Sequence, residues 1–406
     1  MKPDDLGYED RARLFAAFAA HVNPGKVETF EAARMDVVMG ARGGATFDDA
    51  FDPSRRYYNC HCNGGVFNLG HRNPAVLAAV RRALDQVDIG NHHLISVPRA
   101  GLAERLAATT GGRLPGVVFG VGGGEAMDLA IKVVRAVTGR HTILSAQGGY
   151  HGHTGLSLAT GDPAYRAPFG PNPPGFAQVP FDDLTALERA MGPDTAAVVL
   201  EPIPATLGMP LPSPGYLARV QDLCRRHGAK LVLDEVQTGL GRTGRIWAYQ
   251  HDGLEPDVVV TGKGLSGGIY PITATLMTAE LLAFFREEPF IHISTFGGAE
   301  PGCAAALAVL DLIEAPGFLE RVQTLGERFE RGLARLPIKV RRRGLMMGLK
   351  FPLPMGGVVA MKAVYRQGIF CVYANNDKSV LQFLPPLICT DEEADDILAR
   401  LGKALR

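Results

Sequence analysis

Lys230-Leu231-Val232-Leu233-Asp234-Glu235-Val236 and Asp257-Val258-Val259-Val260-Thr261-Gly262-Lys263 decide how this chain folds. Each is a short apolar run bounded by charge, and a run apolar on both faces reads as a strand of a parallel sheet covered on both sides. Asp234 and Glu235 end the first run, where a carboxylate is costly unless it meets a cation. Lys263 stands 29 positions on (263 minus 234), just beyond the second run. In an open parallel sheet the C-terminal strand ends gather at one edge, where ligands bind, so Asp234 and Lys263 are expected to face one cleft.

Outward from this pair, further strands are expected at Val117 to Val121, Thr142 to Ala146 and Ala196 to Ile203, alternating with amphipathic stretches. Met127, Ala130, Ile131 and Val134 fall at i, i+3, i+4 and i+7, and Leu217, Val220, Leu223 and Cys224 give a second such face, so each reads as a helix with one buried stripe. The fold class is therefore α/β, a mostly parallel sheet covered by helices. After Phe296-Gly297-Gly298 the pattern changes, and Leu319, Val322, Leu325, Phe329 and Leu333 form one helical stripe that Pro337 stops. These shifts divide the chain into a large domain over 63–315 and a smaller α+β domain built from 316–406 and the N-terminal segment 1–62. That N-terminal segment looks helical and is expected to pack on the C-terminal part.

Phe119-Gly120-Val121-Gly122-Gly123-Gly124-Glu125-Ala126 follows one strand and opens a helix, so bare backbone amides and the positive helix end converge where an anion could sit. A dinucleotide fingerprint would need a third glycine at 125, where Glu125 stands, and Gly262-Lys263-Gly264 lacks the hydroxyl residue of a Walker loop. The run thus reads as a phosphate cradle or as a plain tight turn. Lys263, between two glycines, reads as an ion-paired lysine or as a desolvated amine able to attack a carbonyl.

Composition narrows the partners. The 406 residues carry 42 Lys plus Arg against 42 Asp plus Glu, which leaves no basic excess for nucleic acid or an anionic membrane. The start, Met1-Lys2-Pro3-Asp4-Asp5, lacks the pattern of a signal peptide, and no apolar run reaches about 18 residues, so a soluble cytoplasmic protein is expected. Six scattered cysteines form no disulfide framework. Cys60-His61-Cys62 has no second half at metal-binding spacing, so no metal is expected.

One small molecule satisfies cradle, carboxylate and lysine together: an aldehyde with one phosphate and a protonatable ring nitrogen, which is pyridoxal phosphate. The ordered motifs Gly122-Gly123-Gly124-Glu125-Ala126, Tyr150-His151-Gly152, Asp234-Glu235-Val236-Gln237-Thr238-Gly239 and Gly262-Lys263-Gly264-Leu265 resemble the class III aminotransferases. So do Asn68-Leu69-Gly70-His71-Arg72-Asn73-Pro74, Thr295-Phe296-Gly297-Gly298, Arg343-Gly344-Leu345-Met346-Met347-Gly348 and Leu384-Pro385-Pro386-Leu387, which extend the resemblance over nearly the whole chain.

The resemblance implies the fold type I architecture of pyridoxal-phosphate enzymes. Lys263 would hold the aldehyde as a Schiff base and, once displaced by a substrate amine, remove a proton from the substrate carbon. Asp234 would keep the ring nitrogen protonated. Val236 would lie beneath the ring and Tyr150 on its other face, with His151 also at the cofactor and Gln237 near the ring hydroxyl. The amides of Gly123 and Gly124 would take the phosphate. Thr295 would reach the phosphate of a neighbouring subunit, giving a homodimer with shared active sites. For Tyr150 and Val236, plain core packing is the competing interpretation.

Three positions depart from the family pattern. Gln382 replaces an arginine that grips the substrate α-carboxylate, Thr206 replaces the glutamate that pairs with that arginine in many members, and Gly122 stands where serine is common. Losing both members of an ion pair avoids stranding a buried charge, which costs roughly 3–5 kcal/mol. Thr206 and Gln382 are therefore candidate substrate residues, and an aminotransferase of an unusual amine, in specialised biosynthesis, is the leading expectation. Arg242 and Arg343 remain as alternative carboxylate grips. The alternative chemistry is racemisation, aminomutation, or elimination and γ-replacement on an activated amino acid such as S-adenosylmethionine. Side-chain pocket residues are expected on Asn91-His92-His93-Leu94-Ile95-Ser96 and Tyr373-Ala374-Asn375-Asn376.

Overall fold

A computed structural model describes residues 3–89 and 93–406; Met1, Lys2, Asn91 and His92, used in the expectations above, lie outside the described residues. Seven strands form the largest sheet: β1 (Gly116–Gly120), β2 (Thr142–Ala146), β3 (Phe176–Val179), β4 (Thr195–Leu200), β5 (Lys230–Asp234), β6 (Val258–Thr261) and β7 (Thr273–Met277). Their spatial order is β1-β7-β6-β5-β4-β2-β3. The run from β3 to β6 pairs parallel, and β7 lies antiparallel between β1 and β6.

The sheet is apolar on both faces, for the reason the sequence suggests. Successive strand side chains point to opposite sides, so Val198, Leu200, Leu231, Leu233 and Val259 enter one core, while Ala197, Val199, Val232, Val258 and Val260 enter another. Helix Gly123–Thr138 covers the second face with Met127, Ala130, Ile131 and Val134. Tyr216–His227 and Glu300–Ile313 contribute Leu217, Val220, Leu223, Val309 and Leu310 to the first. Burying one such leucine contributes roughly 1.5–3 kcal/mol. No single helix among the described residues is long and apolar enough to cross a membrane.

A second assembly follows helix Phe318–Leu333, which ends before Pro337. Strands Lys339–Arg343, Met346–Lys350, Asp377–Phe383 and Val372–Ala374 form an antiparallel sheet in that order. The N-terminal segment differs from its helical reading. Helices Arg11–His21 and Pro24–Ala33 are present, but Met39–Gly43, Thr46–Asp49 and Arg56–Asn59 are strands, the last paired in parallel with Ile369–Phe370. Burial alternates along Thr46–Asp49 and Arg56–Asn59, and Phe47, Tyr57 and Cys60 share a core with Phe329, Leu381 and Phe383. A partner strand far downstream in sequence overrode the local helical pattern.

Candidate active site

Asp234, the last residue of β5, is 6% exposed. One carboxylate oxygen lies 2.9 Å from Nδ1 of buried His151, and the other accepts the Val236 amide at 3.0 Å. Burial opposes charge on His151, but the hydrogen bond to Asp234 and the nearby carboxylates outweigh it and raise its pKa. Glu235 turns the other way and accepts the amides of Ala248 and Tyr249 and the Thr238 hydroxyl. Two adjacent acids thus serve a cleft and a core.

Lys263 follows β6 in the left-handed region, at φ 40°. That conformation is unusual for a side chain with a Cβ and marks a residue held by its surroundings. Lys263 forms no ion pair among the described residues, and burial lowers its pKa against the pull of Asp234 and Glu201. A Cβ at Gly64 (φ 68°) would stand 3.1 Å from Lys263 Cε, so the turn at 62–65 closes directly over the lysine. Asp234 and Lys263 line one cavity of about 460 Å³.

Gly123 and Gly124 border the same cavity as the first residues of helix Gly123–Thr138. Glu125 accepts the Val121 amide at 2.7 Å and fixes the turn, which leaves the helix-start amides to serve an anion. Gly122 precedes the helix with no side-chain cap. Close packing also requires glycine here: a Cβ on Gly152 (φ 120°) would meet Gly124 Cα at 2.5 Å. Tyr150, His151, Val236, Gln237 and Thr206 complete the set of expected residues at the cavity. Nε2 of His151 and Nε2 of Gln237 are buried without a protein partner.

Other expected residues lie elsewhere. Gln382 is buried and donates to the Tyr373 carbonyl at 3.3 Å, outside the cavity lining. Thr295 is exposed and absent from this chain's own cavity. Neither alternative arginine can grip a carboxylate there. Arg242 is fully buried on the Leu345 and Pro385 carbonyls and Asn68, and Arg343 pairs with Asp252. No group of metal-binding side chains occurs among the described residues.

Sequence reasoning missed Glu201, a cavity residue 7% exposed. Its oxygens accept the amides of Tyr150 (3.0 Å) and Ala205 (3.2 Å), and burial pushes its pKa up to about 7. The available signal was the one that revealed Asp234: a carboxylate directly after an apolar strand, here β4.

A helix-start anion cradle, a buried carboxylate, a desolvated lysine and two orphan nitrogens together fit pyridoxal phosphate. The comparisons agree. A sequence model of the class III aminotransferases matches residues 36–405. An uncharacterised aminotransferase of Archaeoglobus fulgidus is 49% identical over 98% of this chain and 95% of its own length. Putrescine aminotransferase of Pectobacterium atrosepticum is 35% identical over 99% of this chain and 92% of its own length. Among solved structures, ornithine aminotransferase from Toxoplasma gondii superposes with a TM-score of 0.89 at 28% identity, covering 99% and 96% of the two chains. An (S)-enantioselective omega-transaminase from Thermomicrobium roseum gives 0.86 at 29% identity, covering 98% of each chain.

Fold and cofactor chemistry therefore define a pyridoxal-phosphate-dependent transferase of fold type I. Within that class, the chain belongs to the class III aminotransferases.

Proposed function

We propose that this enzyme transfers the amino group of a primary amine that bears no α-carboxylate. The observation that carries this reading is the lining of the cavity, in which Lys263 is the single lysine or arginine among the described residues. A substrate carboxylate would be desolvated there beside Glu201 without a guanidinium to receive it. The relative from Pectobacterium atrosepticum is named for putrescine, an amine of this kind.

Pyridoxal phosphate, when bound, supplies an aldehyde that condenses with amines and a ring that takes up the electron pair of a breaking C–H bond. The chain's residues do the rest. The amides of Gly123 and Gly124 would hold its phosphate, and Val236, Tyr150 and Gln237, which line the same cavity, would contact its ring. Asp234, oriented by His151 and the Val236 amide, would hold a proton on the ring nitrogen. Lys263 Nζ, whose charge burial disfavours, removes the proton from the substrate carbon and returns it as the amino group moves.

The enzyme works as a homodimer in which Thr295 reaches the neighbouring subunit's phosphate. Ile95, Val97, Phe290, Ile291 and Ile293 are each more than half exposed, and Phe296 is 49% exposed, a concentration of apolar surface that favours association. Six buried free thiols suit a reducing cytoplasm. The test is a single turnover of the holoenzyme with 1-aminobutane and with glutamate, following the cofactor's absorbance and mass. Conversion to the amine form by 1-aminobutane supports the reading. Conversion by glutamate alone refutes it, and a return to the aldehyde form after proton exchange moves the enzyme to racemisation or elimination.

A further inference from the structure

Where the ends of helices Pro24–Ala33, Gly356–Tyr365 and Asp391–Ala404 meet strand Arg56–Asn59, an open cavity of about 800 Å³ is lined by Arg34, Arg55, Arg56, Arg366, Arg400 and Lys403. It shares no lining residue with the cavity at Lys263. Three of these cations are already paired. Arg55 meets Asp36 at 2.7 Å and Asp49 at 3.2 Å and donates to the hydroxyls of Tyr57 (2.9 Å) and Tyr365 (3.3 Å), Arg56 meets Asp48 at 2.7 Å, and Arg400 meets Asp396 at 3.0 Å and donates to the Gln367 carbonyl at 3.1 Å. A Cβ on Gly368 (φ 73°) would stand 2.6 Å from Arg400 Nη1 and 2.9 Å from the Arg56 carbonyl, so the guanidinium reaches this place only past a glycine. The paired cations thus form a fixed floor.

The side chains of Arg34, Arg366 and Lys403 have no ion pair or hydrogen bond among the described residues. Asp36, the single acid in the lining, is already engaged by Arg11 and Arg55. Helix C-termini favour cations, and three of them end here, but each offsets only about half a charge, which leaves a positive excess. Arg34 also stands at a left-handed helix cap (φ 54°), a position that favours glycine. In a chain of zero formal charge, three uncompensated cations around one concavity repel each other and focus the field on whatever enters it. Guanidinium groups match phosphate oxygens in a bidentate fork. Tyr57 and Tyr365 stack on each other with centroids 5.0 Å apart and are 5% exposed each, so the lining offers no open tyrosine face on which a base could stack.

We propose that this cavity binds a compact polyanion, the phosphate chain of an inorganic or nucleoside triphosphate, with Arg34, Arg366 and Lys403 as its ligands and the paired arginines as its floor. The proposal is independent of which amine the enzyme uses.

The test is calorimetric titration of the holoenzyme, in which cofactor occupies the other phosphate cradle, with tripolyphosphate and with ATP. One saturable site per chain is expected, weakening as salt rises from about 0.01 to 0.15 M. ATP should bind within about 3-fold of tripolyphosphate, since the nucleoside finds nothing to stack on. Arg366→Ala combined with Lys403→Ala should weaken tripolyphosphate at least about 10-fold at an unchanged Tm, as expected of exposed side chains. Arg226→Ala, which removes an exposed cation paired with Glu188 elsewhere, should leave the affinity as it is. The proposal is overturned if neither anion binds saturably, if the double variant binds as the parent does, or if Arg226→Ala weakens binding equally. ATP binding more than about 10-fold tighter than tripolyphosphate overturns the assignment to the phosphate chain.

Discussion

Asp234 and Glu235 follow one another where β5 ends, and their surroundings give the same functional group two uses. Asp234 faces the cavity beside His151, and its replacement by Asn should lower kcat at least about 100-fold while the protein still retains cofactor, as absorbance and activity of the same sample would show. Glu235 is buried, and burial, against its hydrogen bonds to Thr238, Tyr249 and Ala248, pushes its pKa up to about 7 from an ordinary 4.5. The folded state thus binds this proton more tightly than the unfolded state. The penalty for its charge is complete above pH 7, is relieved as pH falls through 7, and is gone below 4.5. Denaturant unfolding at pH 8 and pH 5 should therefore show, for the parent relative to Glu235→Gln, a relative gain on acidification on the order of 3 kcal/mol. An equal pH dependence in both proteins would refute this. Asp234 and Lys263 were legible because an apolar strand ending in charge is conspicuous. Glu201 carries the same signature and was passed over. Gln382 was legible as a missing arginine, whereas its hydrogen bond to the Tyr373 carbonyl needs the hairpin's geometry.

The five strands anticipated from the sequence recur in the sheet with ends displaced by at most three residues, since each is an apolar run. β3 and β7 were not read as strands. β3 has only four residues at the sheet edge with one buried, and β7, Thr-Ala-Thr-Leu-Met, owes its place to neighbours rather than composition. The N-terminal strands escaped notice for a related reason, because Met39–Gly43 holds two glycines and an arginine, and Arg56–Asn59 finds its partner at Ile369–Phe370. Between elements, the approach of the 150–154 loop to the first turn of helix Gly123–Thr138 sets a narrow tolerance. Gly152→Ala would place a Cβ 2.5 Å from Gly124 Cα and force a φ of 120° on a residue with a Cβ. It should destabilise the protein by about 2–4 kcal/mol and release cofactor on gel filtration. The control Gly122→Ala, whose Cβ meets nothing within 4 Å, should keep both stability and cofactor.

Across the whole molecule, exposed large apolar side chains are concentrated in Leu94 to Val97 and Phe290 to Phe296, the surface on which the proposed homodimer would form. Ile95→Asp combined with Phe290→Asp should shift the protein from dimer to monomer in sedimentation. The monomer should also lose cofactor affinity if Thr295 serves the neighbouring site, whereas a monomer with full affinity would mean that each chain completes its own site.

The sheet order carries one more consequence, for synthesis. β1 pairs with β7 alone, Gly116 opposite Met277, a separation of 161 positions (277 minus 116). At roughly 5–20 residues per second of translation, the first strand of the sheet to leave the ribosome waits on the order of 10–30 seconds for its hydrogen-bonding partner. Until then its edge is open to other chains on the same message. β7, the last strand to enter this sheet, therefore covers that edge, so ribosome pausing between codons 120 and 270 should lower soluble yield more than the same pause after codon 280.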